Sequence, residues 1–336
     1  MTADPTPADT GGELFVPVVT DGARPDPRVL PDSPVTRFAP APTGFLHLGH
    51  LVNALYVWGI AQATGGRVIL RIEDHDRQRS RPEFESALLD DLERLGLAPD
   101  APAISAFRDG ATTFRQSDNV AAYSSALDRL REDGLVYACS CTRTTFAEWE
   151  AEHGRAWRGI GCPGGCRGAA LDEAAAWAAT SAAPGLSLRV AVGAGSERWI
   201  DLLAGPLADE PAVTGDVLVR DRVGNWAYGF CVVVDDAANG VDLVIRGRDL
   251  LDATPVQLRL ARLLGREAPP RFLHHPLVRR TSGQKLSKAE SDTAVREMLD
   301  AGATPAELFG RAARLAGLRD DEAPIEVQAL ELLFGS

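Results

Sequence analysis

The chain of 336 residues has no uninterrupted apolar run of the length, about 18 residues, that a helix needs to cross a bilayer, so a membrane-spanning helix is excluded. Its N-terminus lacks a basic segment followed by an apolar stretch and a small-residue cleavage site, so no secretory leader is expected and the cytoplasm is the expected compartment. Positive charge is scarce: 35 Lys and Arg stand against 47 Asp and Glu, a formal net charge of -12. A broad basic field for nucleic acid is therefore missing, and any RNA must be met by local patches. The candidates are Arg77, Arg79 and Arg81; Arg143, Arg155, Arg158 and Arg167; and Arg279, Arg280, Lys285 and Lys288. Cysteines number only five, and four of them fall between positions 139 and 166, which excludes a spread disulfide framework and favours a local metal site.

What is present begins after a stretch, 1–32, with six prolines and one short apolar run (14–19), expected to be poorly ordered. A short strand pattern at 35–39 leads into a Pro and Gly loop (Pro40, Pro42, Gly44), an apolar helix pattern at 48–63 stopped by Gly65 and Gly66, and a buried strand at 67–73. Strand, helix, strand is the unit of a parallel nucleotide-binding sheet, whose ligand end is the 40–50 loop. Pro82 opens an amphipathic helix that Gly96 ends, and 123–130 repeats that logic. Between 137 and 214 the pattern changes to cysteines, glycines, an Ala-rich helix at 171–180 and short strands, which reads as an insertion. Sheet signals return at 216–221, 226–234 and 241–246, followed by a helix at 249–264. Thr304 and Pro305 cap a last amphipathic run to Ala316.

Two segments carry phosphate chemistry. In RFAPAPTGFLHLGH (37–50), His47 and His50 stand three apart at the start of a helix that follows a strand, where helix amides and imidazole N–H groups can donate to a triphosphate. The same histidines also suit plain capping or core roles. Far along the chain, KLSKA (285–289) follows a Ser282 and Gly283 turn, and its two lysines can reach phosphates as point charges. The cysteines form a third signal: Cys139-Ser-Cys141 and Cys162-Pro-Gly-Gly-Cys166 supply four thiolates for one tetrahedral zinc, a closed and therefore structural site. Cys231 reads as a core hydrophobe in a strand.

With HLGH, RIEDHD (71–76), VVVDD (232–236), VIRGRDLLDAT (244–254) and KLSKA in this order, the chain resembles the class I glutamyl-tRNA synthetases from Arg37 to Lys288. The resemblance implies attack of glutamate on the α-phosphorus of magnesium-bound ATP, release of pyrophosphate, and transfer from glutamyl-adenylate to an RNA hydroxyl. It implies His47, His50 and Lys288 as the residues of the ATP step, with Pro40, Thr43, Gly44, Gly49, Lys285 and Ser287 around the nucleotide. Arginines suit the two carboxylates of glutamate and an acid suits its ammonium group, which points to Arg37, Arg246 and Glu73. The resemblance adds Phe38, Ala39, Pro40, Ala41 and Tyr228 to that pocket. Without it, Arg246 would be read as a partner of Asp242 or Asp249, and Tyr228 as a core aromatic on a strand. Ala41 stands where the family often has serine.

The chain stops at Ser336, where a full glutamyl-tRNA synthetase continues into a helical domain that reads the anticodon. The shortened glutamyl-queuosine tRNA(Asp) synthetases are similar in this and in the place of the zinc site, with Cys162 where they often have tyrosine. The resemblance thus implies glutamate esterified to queuosine in the anticodon of tRNA(Asp); separately, a monomer with no membrane partner is expected. Two alternatives stay open: a truncated synthetase charging tRNA(Glu) or another carrier, and a non-catalytic RNA-binding relative. The expected architecture is α/β: a Rossmann-type doubly wound parallel sheet split over 33–138 and 215–300, a zinc-containing α+β lobe at 139–214, and a helical tail at 301–336.

Overall fold

A computed structural model describes residues 15–17, 23–154, 161–169, 171–180, 182–280 and 293–335. The elements in chain order are β1 (Phe15–Pro17), β2 (Val35–Phe38), α1 (Leu48–Thr64), β3 (Arg67–Leu70), α2 (Pro82–Leu95), α3 (Ser105–Arg108) and α4 (Val120–Glu132). The middle of the chain holds β4 (Val136–Cys139), α5 (Arg143–His153), α6 (Glu173–Trp177), β5 (Ser187–Val190), β6 (Glu197–Asp201) and β7 (Gly205–Asp209). Then follow β8 (Val217–Arg220), α7 (Tyr228–Ala238), β9 (Leu243–Gly247), α8 (Thr254–Leu263), β10 (Arg271–His275), β11 (Val278–Arg280), α9 (Val295–Asp300) and α10 (Pro305–Leu315). Among the described residues, no helix is long and apolar enough to cross a membrane.

The α/β core is built from parallel pairs. β2 runs parallel to β3 with Val35 opposite Arg67, and β9 runs parallel to β10 with Arg271 opposite Leu243. β2 lies beside β9: Val35 O accepts from Asp242 N at 3.0 Å, and the Arg37 guanidinium reaches Ile245 O at 3.0 Å. α1 crosses behind this layer and is buried on nearly every side, which is why its sequence reads apolar all round rather than as a stripe. Gly65, at φ 64°, ends it in the left-handed conformation that glycine adopts without penalty. Gly59 of α1 faces the last turn of the chain, where an added Cβ would stand 2.5 Å from the Phe334 ring and 2.9 Å from Leu330 O. Alanine is favoured over glycine in a helix by about 1 kcal/mol. The overlap outweighs that gain, and Gly59→Ala is expected to lower stability by about 1–3 kcal/mol in a denaturant titration.

Four expectations differ from the structure. The run 226–234 was expected to be a strand; Tyr228 and Cys231 instead sit on helix α7, with Phe230, Cys231, Val232 and Val233 all buried. A continuous apolar run buried on every side carries no period that separates strand from helix. The Ala-rich helix expected over 171–180 is only the five residues of α6, capped by Asp172, whose Oδ1 accepts from Ala174 N at 2.8 Å. Within the stretch expected to be poorly ordered, β1 pairs antiparallel with β11, and Ala23 is buried where its carbonyl accepts from the Tyr56 hydroxyl. Finally, β6 and β7 fall inside 139–214 but join the core: the sheet order is β7-β6-β10-β9, with Asp201 opposite Phe272. The remaining strand of that interval, β5, forms a separate three-stranded sheet with β4 and β8.

Candidate active site and metal centre

The loop after β2, the end of β3, the start of α7 and the ends of β9 and β10 converge on one cavity of about 440 Å³. Its wall includes Arg37, Phe38, Ala39, Pro40, Ala41, Glu73, Tyr228 and Arg246, all eight residues expected around glutamate. His47, Gly49 and His50 line it as well. Thr43 and Gly44 stand in the same loop outside the wall, and Lys285, Ser287 and Lys288 lie outside the described residues.

The two histidines cap α1 and face the cavity at once. His47 Nδ1 accepts from Gly49 N at 3.1 Å, and His50 Nδ1 accepts from His47 N at 3.1 Å. An imidazole whose Nδ1 accepts a backbone N–H carries its proton on Nε2, so each neutral ring offers Nε2–H as a donor. The ring centroids are 4.0 Å apart at the helix N-terminus, a geometry suited to anionic oxygens.

The charges behind the wall are almost fully withdrawn from water. Arg37, Glu73 and Arg246 are 3%, 7% and 4% exposed, and Arg71 beneath them is fully buried. Arg71 donates to Asp236 Oδ1 at 2.6 Å and to Glu73 Oε1 at 2.9 Å, and lies 3.8 Å from Asp235. Arg37 Nε shares the same Asp236 oxygen at 3.2 Å. Burial alone would raise the Asp236 pKa, but the charges of Arg37 and Arg71 hold it below the usual carboxylate range. Asp235 lies further inside and its pKa is pushed up by burial, although the Tyr123 hydroxyl and the amides of Gln116 and Asn119 donate to it. Burial, with Glu73 nearby, likewise raises the Tyr228 phenol.

Arg246 is held differently. It pairs with neither Asp242 nor Asp249; its guanidinium donates to Gln257 Oε1 at 2.6 Å, Thr254 Oγ1 at 2.8 Å, His274 Nε2 at 3.0 Å and Leu250 O at 3.2 Å. Burial lowers its pKa, yet a guanidinium remains charged in a protein. These four acceptors are neutral, so they orient the cation without cancelling it. A buried cation on a cavity wall is a site for an anionic group.

The four clustered cysteines also come together. Cys139 ends β4, Cys141 follows it, and the turn carrying Cys162 and Cys166 is pinned by the pairing of Cys162 with Asp216. All four Sγ atoms lie within 4.8 Å of one another, with Cys141 at 3.6 Å from Cys162 and 3.5 Å from Cys166. Sulfurs 2.3 Å from a tetrahedral centre are about 3.8 Å apart, so the cluster can hold one metal ion. The hydrogen bond from the Cys139 thiol holds the Cys162 pKa down, while burial pushes that of Cys141 up. A bound cation would draw all four into the thiolate form. Around the sulfurs, Arg189 donates to Cys139 Sγ at 3.1 Å, and Asp216 accepts from Tyr137 Oη at 2.6 Å and from Arg167.

The family model described as tRNA synthetases class I (E and Q), catalytic domain, matches residues 34–326. A Glutamyl-Q tRNA(Asp) synthetase of Symbiobacterium thermophilum is 40% identical over 299 residues, covering 89% of this chain and 91% of the relative. One of Rhodobacter capsulatus is 38% identical, covering 84% of this chain and the whole of the relative. The chain belongs to the glutamyl-Q tRNA(Asp) synthetase family. Its fold is that of the larger synthetases too: a glutamate tRNA ligase of Elizabethkingia meningosepticum, crystallised with its amino acid, aligns with a TM-score of 0.70 at 23% identity. The chain covers 64% of that ligase.

Residues that the sequence did not single out also surround the glutamyl-Q synthetase cavity and the charges behind it. Asn53, His75, Asp249 and His275 also line the cavity, and Arg71, Asp235, Asp236 and His274 hold its charged groups in place. One signal in the sequence could have found the last set: charged residues directly abutting apolar strand and helix runs, Arg71 after Val68–Leu70 and the aspartates after Val232–Val234.

Proposed function

We propose that this chain joins L-glutamate to ATP and passes the glutamyl group to queuosine in the anticodon of tRNA(Asp). The observation that carries this reading is one cavity gathering a buried, uncancelled Arg246, the Glu73 carboxylate and two helix-capping histidines, in a chain matched nearly end to end by glutamyl-Q synthetases. In this reading Arg246 and Arg37 hold the carboxylates of glutamate, Glu73 takes its ammonium group, and Tyr228 closes the pocket beside them. Phe38, Ala39, Pro40 and Ala41 supply backbone along the substrate.

A glutamate α-carboxylate oxygen attacks the α-phosphorus, and the bond to the bridging oxygen breaks as pyrophosphate leaves. The Nε2–H groups of His47 and His50 and the amides at the start of α1 steady the charge on the phosphate oxygens. Lys285, Ser287 and Lys288, with Thr43, Gly44 and Gly49, complete the nucleotide site. Mg2+ accompanies ATP and neutralises its phosphates. A hydroxyl of the cyclopentenediol of queuosine then attacks the carbonyl carbon of glutamyl-adenylate, and AMP departs with the bonding pair.

Zinc is the metal proposed for Cys139, Cys141, Cys162 and Cys166, and with four protein thiolates it has a structural role. One equivalent of zinc is expected in the purified protein by elemental analysis, and Cys166→Ala is expected to retain less than about a tenth of it. Full zinc occupancy in that variant would contradict the assignment.

The test of the reaction is transfer of labelled glutamate to tRNA(Asp) bearing queuosine, to the same tRNA without it, and to tRNA(Glu). Transfer to the first alone supports the proposal. Transfer to tRNA(Glu) replaces it with a charging enzyme, and the absence of glutamate-dependent pyrophosphate exchange removes it.

A further inference from the structure

Strand β6 carries Asp201 from the cysteine-bearing interval into the sheet beside β10. Its Oδ2 accepts from the His274 ring at Nδ1, 2.6 Å away, and from the His274 backbone N at 3.2 Å. Its Oδ1 is occupied by the amides of Leu203 and Ala204 at 3.0 and 2.9 Å. Asp201, His274 and Arg246 are 1%, 4% and 4% exposed, so water does not compete for these bonds. An ionised carboxylate only accepts, which places the imidazole proton on Nδ1. Nε2 is thereby an acceptor, and it takes the Arg246 Nε–H at 3.0 Å. Burial lowers the His274 pKa against the pull of Asp201, which keeps the ring neutral.

We propose that Asp201 and His274 are positioning residues for Arg246: the buried carboxylate selects the imidazole tautomer, and that tautomer fixes the guanidinium in the orientation that reads the substrate's side-chain carboxylate. The inference rests on the reading of Arg246 as the glutamate-binding cation. With the proton on Nε2 instead, ring and guanidinium would meet donor to donor, and the guanidinium would turn away. Four of the five Arg246 N–H groups go to His274, Gln257, Thr254 and Leu250 O, so the fixed guanidinium aims its charge and its remaining N–H at one point of the substrate, where a carboxylate binds better than an amide; a loose one keeps its charge and loses that aim. The cysteine-bearing interval thus reaches the amino-acid pocket through a side chain.

The test uses the full chain with Asp201→Asn, His274→Gln and His274→Phe, followed by pyrophosphate exchange driven by glutamate or glutamine. In Asp201→Asn the amide oxygen stays with the Leu203 and Ala204 amides, its NH2 faces Nδ1, and the ring takes the Nε2–H form. The KM for glutamate is expected to rise about 30-fold and the preference for glutamate over glutamine to fall about tenfold, with kcat and the KM for ATP within about twofold of the parent. Gln at 274 restores an acceptor for Arg246 Nε–H and should cost less than about fivefold, while Phe should match Asp201→Asn. Ring 15N shifts of labelled histidine should show His274 protonated on Nδ1 in the parent protein and on Nε2 in Asp201→Asn.

An unchanged glutamate KM and preference in both Asp201→Asn and His274→Phe would overturn the inference. So would an equal rise in the KM values for glutamate and ATP, which marks general distortion, or a parent His274 protonated on Nε2. A parent protein with no glutamate-dependent exchange would instead remove the proposed reaction, leaving the tautomer to be decided by the 15N shifts.

Discussion

Arg246→Gln is expected to reduce kcat/KM for glutamate in pyrophosphate exchange by about three orders of magnitude while the protein stays folded. Losing one member of a buried, charge-assisted pair with a ligand costs about 2–5 kcal/mol, and every 1.4 kcal/mol is a factor of ten. The fold should tolerate the change because the groups that hold this guanidinium, Gln257, Thr254, His274 and Leu250 O, are neutral. Removing the cation therefore strands no carboxylate among them, and glutamine keeps donors and much of the volume. The loss should appear in the glutamate KM and in kcat/KM, with the ATP KM little changed. Exchange at the parent rate at low glutamate concentration would show that the substrate carboxylate is held elsewhere.

Arg71→Met should do the opposite, acting on stability before activity. Arg71 is fully buried between Glu73, Asp235 and Asp236, and supplies the shortest contact in the group, 2.6 Å to Asp236. Methionine fills the space and leaves the buried carboxylates with Arg37 as the remaining cation, which among these three carboxylates bonds only Asp236. Removing one partner from a buried ionic cluster costs about 3–5 kcal/mol. The melting temperature is expected to fall by about 10 °C in calorimetry. A melting temperature within a degree or two of the parent would mean that the carboxylates are protonated in the folded state and that Arg71 does not hold them.

These contrasting roles could not be read from the sequence, although the residues could. The segments 37–50, 71–76 and 244–254 are recognisable because their chemistry is local: two histidines at a helix start, an acid and an arginine at strand ends. The four cysteines were legible for the same reason, since paired spacings put thiolates at reach before any fold is known. What stayed hidden depends on distant segments meeting. Asp236 lies 199 positions from Arg37 and 165 from Arg71, and nothing local announces that one carboxylate serves both. Asp201 is 73 positions from His274, in an interval that reads as a separate lobe until β6 is seen beside β10. Tyr228 shows the third limit: its residue was identified as lining the pocket while its element was mistaken, because an apolar run buried all round has no diagnostic period.

The position at which the glutamyl group is placed separates modification of queuosine from charging of the 3′ end, and it can be measured directly. Queuosine-bearing tRNA(Asp) is incubated with the protein, ATP, Mg2+ and labelled glutamate, then digested to nucleosides under mildly acidic conditions that spare the ester, and the products are separated and weighed by mass spectrometry. The label is expected on queuosine, as a nucleoside heavier by one glutamyl residue, with none on the 3′-terminal adenosine. Label on the terminal adenosine, with queuosine unmodified, would contradict it.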